Sequence, residues 1–287
     1  MTLNESKLFS REKNGFSFAL AVLSLILGIS LLSINLYGLT QSIRKPGLGV
    51  NDHDQLRFIP EEVWSYEKSM DAIGNLSTVK PGDDLAEQAN RIVNQSLVHV
   101  EWNRVDALEY RQLVPIWENY FLYLLGRYSE LPQFTRYHYA DYQRNIRRGI
   151  GICGDASTIL SSVLDQHDVS NQIIAFRGHV LVEYTGTDGQ DYLMDPDFGV
   201  SLGVDLESLV GDPQIVRSRY IDAGYSSREV DSLFESYATK YNIFDDTYQF
   251  MKQRYLFERF SYVMKWLLPI MLIVASVLRL NKSRRTS

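Results

Sequence analysis

The chain has 287 residues, 35 acidic against 29 basic side chains, a formal net charge of −6 and a single cysteine. That length allows one sizeable core in addition to membrane segments. One cysteine excludes an internal disulfide framework and every C-x-x-C site, and the acidic balance argues against a nucleic-acid ligand, which would want a basic surface.

Residues 1–15 carry Lys7, Arg11 and Lys13 and read as a cytoplasmic N-terminus. Residues 16–39 follow without a charge. A helix of that length reaches about 36 Å, enough for a bilayer core of roughly 30 Å. The run is longer than a signal-peptide core and lacks a small-residue cleavage site, so it is read as a retained anchor. Residues 40–259 form the domain between two spans, with its core at about 83–200. Outside the seven basic and two acidic residues of the ends, the rest of the chain holds 22 basic and 33 acidic side chains, a balance near −11.

Within the domain, residues 105–139 read as an insertion, and 117–142 is rich in tyrosine. Aromatics near helical spacing are usually core, and a sugar- or peptide-stacking groove is the alternative. Next comes Arg148-Gly149-Ile150-Gly151-Ile152-Cys153-Gly154-Asp155-Ala156, where a glycine-rich approach turns into a helix carrying Ala156, Ile159, Leu160, Val163 and Leu164 on one face. Asp155 puts an acid in the first turn, where the macrodipole favours one. Cys153 thus stands at a helix N-terminus, a place that lowers a thiol pKa below its free value of about 8.5. A small buried hydrophobe is the competing reading.

Residues 171–176 read as a strand, Arg177-Gly178 as a break, 179–184 as a second strand, Gly186-Thr187-Asp188-Gly189 as a turn, and 191–195 as a third strand stopped by Pro196. A hairpin symmetric about Thr187 places His179 directly opposite Asp195. Opposed Cβ atoms lie roughly 4.5–5.5 Å apart, close enough for a carboxylate to orient an imidazole. Nucleophile, base and orienting acid are then all present. The Cys153 backbone N–H is one oxyanion donor; Gln143 or Asn145 could supply a second, but polar residues before a glycine-rich turn more often cap or solvate it, and that role is left unassigned.

The ordered set Gly151-Ile152-Cys153-Gly154-Asp155-Ala156, helix, Arg177-Gly178-His179 and Asp195-Pro196 resembles the transglutaminase-like core of the papain-like thiol enzymes, at intervals of 26 and 16 residues from Cys to His to Asp. Residues 85–102 resemble the helix preceding that core. The resemblance implies an α+β fold with the nucleophile helix packed on an antiparallel sheet. It also implies roles: Cys153 as nucleophile, His179 as base and acid, Asp195 as the residue that orients the ring. Val180-Leu181 stand where many relatives carry a small residue and Trp, which speaks against protein cross-linking, and Asp197 stands where Thr is common.

Beyond the core, Ser226-Ser227-Arg228-Glu229 reads as a capping box opening an amphipathic helix. Residues 260–280 are a second span if Lys265 and Arg279 snorkel to the interfaces. Residues 281–287 are a basic tail. Positive charge at both ends puts them in the cytosol and the domain outside it, in a bacterial inner membrane with a periplasmic domain. His53, His99, His138 and His167 are scattered without metal-ligand spacing, so no metal and no cofactor is expected. The expected activity is amide hydrolysis or acyl transfer through Cys153 on a peptide or amide-bearing substrate. The alternative is a noncatalytic binding module in an envelope or polysaccharide-export assembly.

Overall fold

A computed structural model describes residues 3–49, 56–58 and 63–286; His53 lies outside them. In chain order the elements are α1 (Leu3–Gly38), β1 (Leu56–Phe58), α2 (Tyr66–Asn75), α3 (Asp83–Ser96), β2 (Val98–Val100), α4 (Tyr120–Tyr128), α5 (Pro132–Thr135), α6 (Tyr142–Arg148), β3 (Ile150–Gly151) and α7 (Cys153–Gln166). They continue with β4 (Asn171–Phe176), β5 (Val180–Thr185), β6 (Asp191–Asp195), β7 (Val200–Ser201), α8 (Leu206–Gly211), α9 (Arg217–Asp222), α10 (Ser227–Tyr237), β8 (Tyr241–Phe244), α11 (Thr247–Phe250) and α12 (Lys252–Thr286). The chain is mixed α+β and divides into two units.

The larger unit comprises Ile43–Leu113 and Arg136–Phe257. Its main sheet is antiparallel, in the order β7-β6-β5-β4-β8. Strand residues alternate between faces, so each face builds its own core. On one side Val182, Tyr184 and Met194 meet α2, α3 and α7, whose Ala156, Ile159, Leu160, Val163 and Leu164 are all fully buried. On the other, Ile174, Leu181 and Leu193 meet α8, α9 and α10. Ser226 and Glu229 form the capping box at the start of α10.

The β5–β6 hairpin differs from the expected register. Val182 pairs with Met194 and Thr185 with Asp191, which centres the hairpin on Asp188 rather than Thr187. The cause is a longer loop. Gly186 N–H donates to the Gln190 carbonyl at 2.7 Å, and Asp188 accepts from the Gln190 N–H at 2.9 Å and the Tyr192 hydroxyl at 2.7 Å. His179 is therefore not directly opposite Asp195. A slip of two residues nevertheless keeps every side chain on its face, and diagonal neighbours remain within reach.

A second, three-stranded sheet has the order β1-β2-β3, with β2 and β3 parallel. It sets His99 beside Gly151 and delivers the chain to the start of α7. A Cβ at Gly151 would lie 2.8 Å from Leu97 Cδ1 and 3.0 Å from Asp155 Cβ, so this approach needs a glycine.

The smaller unit holds α1, Val114–Thr135 and the chain from Glu258 onward. Residues 114–135, part of the region read as an insertion in the domain, cluster here with the two long helices. Tyr137 and Tyr139, at the end of the tyrosine-rich stretch, are instead fully buried core of the larger unit. Two helices are long and apolar enough to cross a membrane: Ser17–Gly38, with an 18-residue stretch of mean hydropathy 2.4, and Lys252–Lys282, with one of 1.9. They approach closely at Gly28, where a Cβ would meet Ile273 Cγ1 at 2.9 Å and the Pro269 carbonyl at 3.0 Å.

Lys265 does not snorkel. It is buried, and its Nζ donates to the Glu118 carbonyl at 2.6 Å. Pro269, lacking an N–H, leaves the carbonyl four residues before it without a helical donor. That carbonyl belongs to Lys265, and it accepts from Asn35 Nδ2 and from the Tyr120 hydroxyl instead.

Candidate active site

Cys153 is the first residue of α7 and 9% exposed. Asp155 fixes this helix end, its carboxylate accepting the Ile152 N–H at 3.1 Å. His179 sits in the tight turn between β4 and β5, where Gly178 adopts φ +107° and the Phe176 N–H donates to the His179 carbonyl at 2.9 Å. His179 Nε2 lies 2.7 Å from Asp195 Oδ2. The Cys153 sulfur lies within 4.8 Å of a nitrogen of the same ring. With Nε2 taken by Asp195, Nδ1 is the nitrogen left for sulfur.

Asp195, the last residue of β6, is held on both oxygens. Oδ2 accepts the Tyr220 hydroxyl at 2.8 Å as well as the imidazole, and Tyr220 is bonded in turn to the Tyr237 hydroxyl at 2.7 Å. Oδ1 accepts the N–H groups of Asp197 and Phe198 at 3.1 and 3.2 Å. Phe198 and Tyr237 pack edge-on against the His179 ring, at 5.8 and 6.0 Å between centroids. Burial on its own would disfavour the imidazolium. The Asp195 charge and hydrogen bond, with the Cys153 sulfur adding to them, outweigh burial and hold His179 well above the usual imidazole range.

A second carboxylate lies close by. An Asp197 oxygen is within 4.8 Å of both the sulfur and a His179 nitrogen, and Asp197 is bonded to His99 Nδ1, with both side chains fully buried. Thiolate, imidazole and carboxylate are donor types that zinc takes. Among the described residues this is the one such grouping. His99 already holds the Asp197 carboxylate, and Asp195 holds the far side of the His179 ring.

His138 also reaches the site. Its Nδ1 is 2.9 and 3.0 Å from the two Asp155 oxygens, and its ring stacks on Trp102 at 4.1 Å with planes 19° apart. Arg148, buried, donates to the Tyr137 carbonyl at 2.6 Å and stands 3.9 Å from Asp155. Burial would raise the Asp155 pKa, but His138, Arg148 and the Ile152 N–H together bring it below the usual carboxylate value. Gln143 and Asn145 play no part in the cavity. Gln143 donates to the Tyr142 hydroxyl, and Asn145, fully buried, donates to the Tyr139 carbonyl at 2.7 Å.

A cavity of about 350 Å³ opens over Cys153 and His179. His138, Phe176, Val180, Phe250, Met251 and Arg254 form much of its lining. Sequence reasoning placed Cys153, His179 and Asp195, and the structure brings all three together. It missed His138, Tyr220, Tyr237, the His99–Asp197 pair and the 250–254 wall. Asp197 stood out as an unusual residue after the proline; the others left no local signal. No protein-family model, curated protein or solved structure matches this chain.

Proposed function

We propose that the chain is a membrane-anchored, transglutaminase-like cysteine enzyme that cleaves or transfers an amide through an acyl group on Cys153, with its domain in the extracytoplasmic cell envelope. The observation that carries this reading is the His179–Asp195 contact of 2.7 Å, with the single thiol, at a helix start, within 4.8 Å of a nitrogen of the same ring. Two long apolar helices and the basic residues at both ends support the anchoring and the side.

In this mechanism the Cys153 sulfur attacks the amide carbonyl carbon, forming a C–S bond while the carbonyl π pair moves onto oxygen. The Cys153 backbone N–H at the helix start is the natural donor to that oxygen. As the pair returns, the C–N bond breaks and His179 passes its proton to the leaving amine. Water or a second amine, deprotonated by His179, then attacks the thioester and releases the sulfur. Asp195 keeps the ring in place throughout and stabilises its charged form.

The 9% exposure of Cys153 favours a second reading, a noncatalytic module whose fold binds an envelope or polysaccharide-export partner. Alkylation of the one thiol separates the two. A thiol with pKa near 8.5 is less than about 1% ionised at pH 6. The enzyme reading expects iodoacetamide to modify Cys153 at pH 6 in folded protein, and expects His179→Ala to move the labelling profile to higher pH. Identical profiles for wild type and His179→Ala would sink the enzyme and leave the binding module.

A further inference from the structure

We infer that the cavity takes an acyl donor carrying a carboxylate close to the scissile carbonyl, in the manner of an acidic amino-acid residue, and that Arg254 binds that carboxylate. The inference rests on the proposed Cys153 chemistry and adds its substrate class.

The charges of the cavity wall are one-sided. Arg254, on the first turn of α12, and the two histidines His138 and His179 line it together with a single acid, Asp155. Asp155 is already taken, by the His138 ring and the Ile152 N–H, and is 1% exposed. Among the described residues Arg254 has no ion-pair or hydrogen-bond partner for its guanidinium. The acids just upstream of the wall are engaged elsewhere: Asp246 accepts the Gln249 N–H at 2.7 Å and Asp245 the Gln249 side-chain amide at 2.7 Å. The same wall carries the apolar side chains of Phe176, Val180, Phe250 and Met251.

A cation partly withdrawn from water beside apolar groups costs free energy that a ligand anion recovers. Guanidinium is the side chain whose planar fork fits a carboxylate with two parallel hydrogen bonds. The volume of about 350 Å³ is near the lower end for ligand sites and suits one residue-sized group rather than an extended polymer. Arg254 and Cys153 lining the same small cavity puts the bound anion next to the reacting carbon.

Iodoacetate and iodoacetamide provide the test on the full chain in detergent, because they differ by a carboxylate in place of an amide. The second-order rate of each with Cys153 gives a ratio that is insensitive to general loss of thiol reactivity. Hydrogen bonds to charged groups are worth about 1.5–3 kcal/mol, so the iodoacetate to iodoacetamide ratio should fall about tenfold or more in Arg254→Gln and be largely kept in Arg254→Lys. The α-amide of N-acetylglutamate should protect wild-type Cys153 from iodoacetamide, and the α-amide of N-acetylglutamine, which carries no carboxylate, should not, a readout that needs no variant. A ratio indifferent to Arg254, or equal protection by the two amino-acid derivatives, overturns the inference while His179-dependent labelling leaves the enzyme standing. Absence of labelling by either reagent in folded wild type overturns both.

Discussion

Asp195 accepts four hydrogen bonds, from an imidazole, a tyrosine hydroxyl and two backbone N–H groups, in a position with no exposed surface. A carboxylate satisfied on this scale is fixed in orientation, and it fixes His179 in turn. Asp195→Asn keeps the shape and removes the charge. The raised pKa of His179 means the folded state binds its proton more tightly than the unfolded chain does. The stability it contributes is fully present below the unfolded value near 6.5 and is lost as pH rises through the higher folded value. Urea unfolding of wild type and Asp195→Asn should therefore show the largest difference near pH 6, shrinking as the solution becomes alkaline; a difference that grows with pH would contradict the ion pair. The Tyr220 hydroxyl was hidden from sequence reading for a plain reason. Tyr220 lies 25 residues beyond Asp195 on a different element, and tyrosine in a helix carries no mark of what its hydroxyl will meet. His138 was equally silent, because its partner Asp155 was already accounted for as a helix-start acid.

The helix that begins at Cys153 and three of the main-sheet strands were legible because their patterns repeat: apolar residues at helical spacing after Cys153, and two-residue alternation broken by Gly and Pro. Register was not, since it depends on how the 186–190 loop closes, and only the evenness of the slip preserved the contact between His179 and Asp195. The edge strand β8 escaped because it is four residues long and largely exposed, with no alternation of buried positions. Between β4 and β5 the whole site leans on one glycine. Gly178 has φ +107°, and a Cβ there would stand 3.1 Å from Ser236 Oγ. Gly178→Ala should cost about 1–2 kcal/mol from the backbone conformation alone, measured as a shift in the denaturation midpoint. It should also slow iodoacetamide labelling at pH 6, because His179 is the next residue. A variant as stable and as reactive as wild type would mean that the turn does not set the ring.

At the scale of the whole molecule, hydropathy disclosed both long helices, whereas the fate of Lys265 depended on Pro269 and on partners more than a hundred residues away. Reporter fusions after residue 50 and after residue 285 test the proposed topology, with the first expected outside the cytosol and the second within it; reports from the same side would remove one crossing. The order of the elements along the chain bears on synthesis as well. By the time a ribosome has passed Tyr237, the peptide holds Cys153, His179, Asp195 and both supporting tyrosines. It still lacks β8 and the Phe250, Met251 and Arg254 wall. That wall is completed by the opening turn of the last long helix, so the cavity over the thiol closes only as the second long apolar helix is being made. A chain ending before that helix carries Cys153, His179 and Asp195 without the Arg254 side of the cavity.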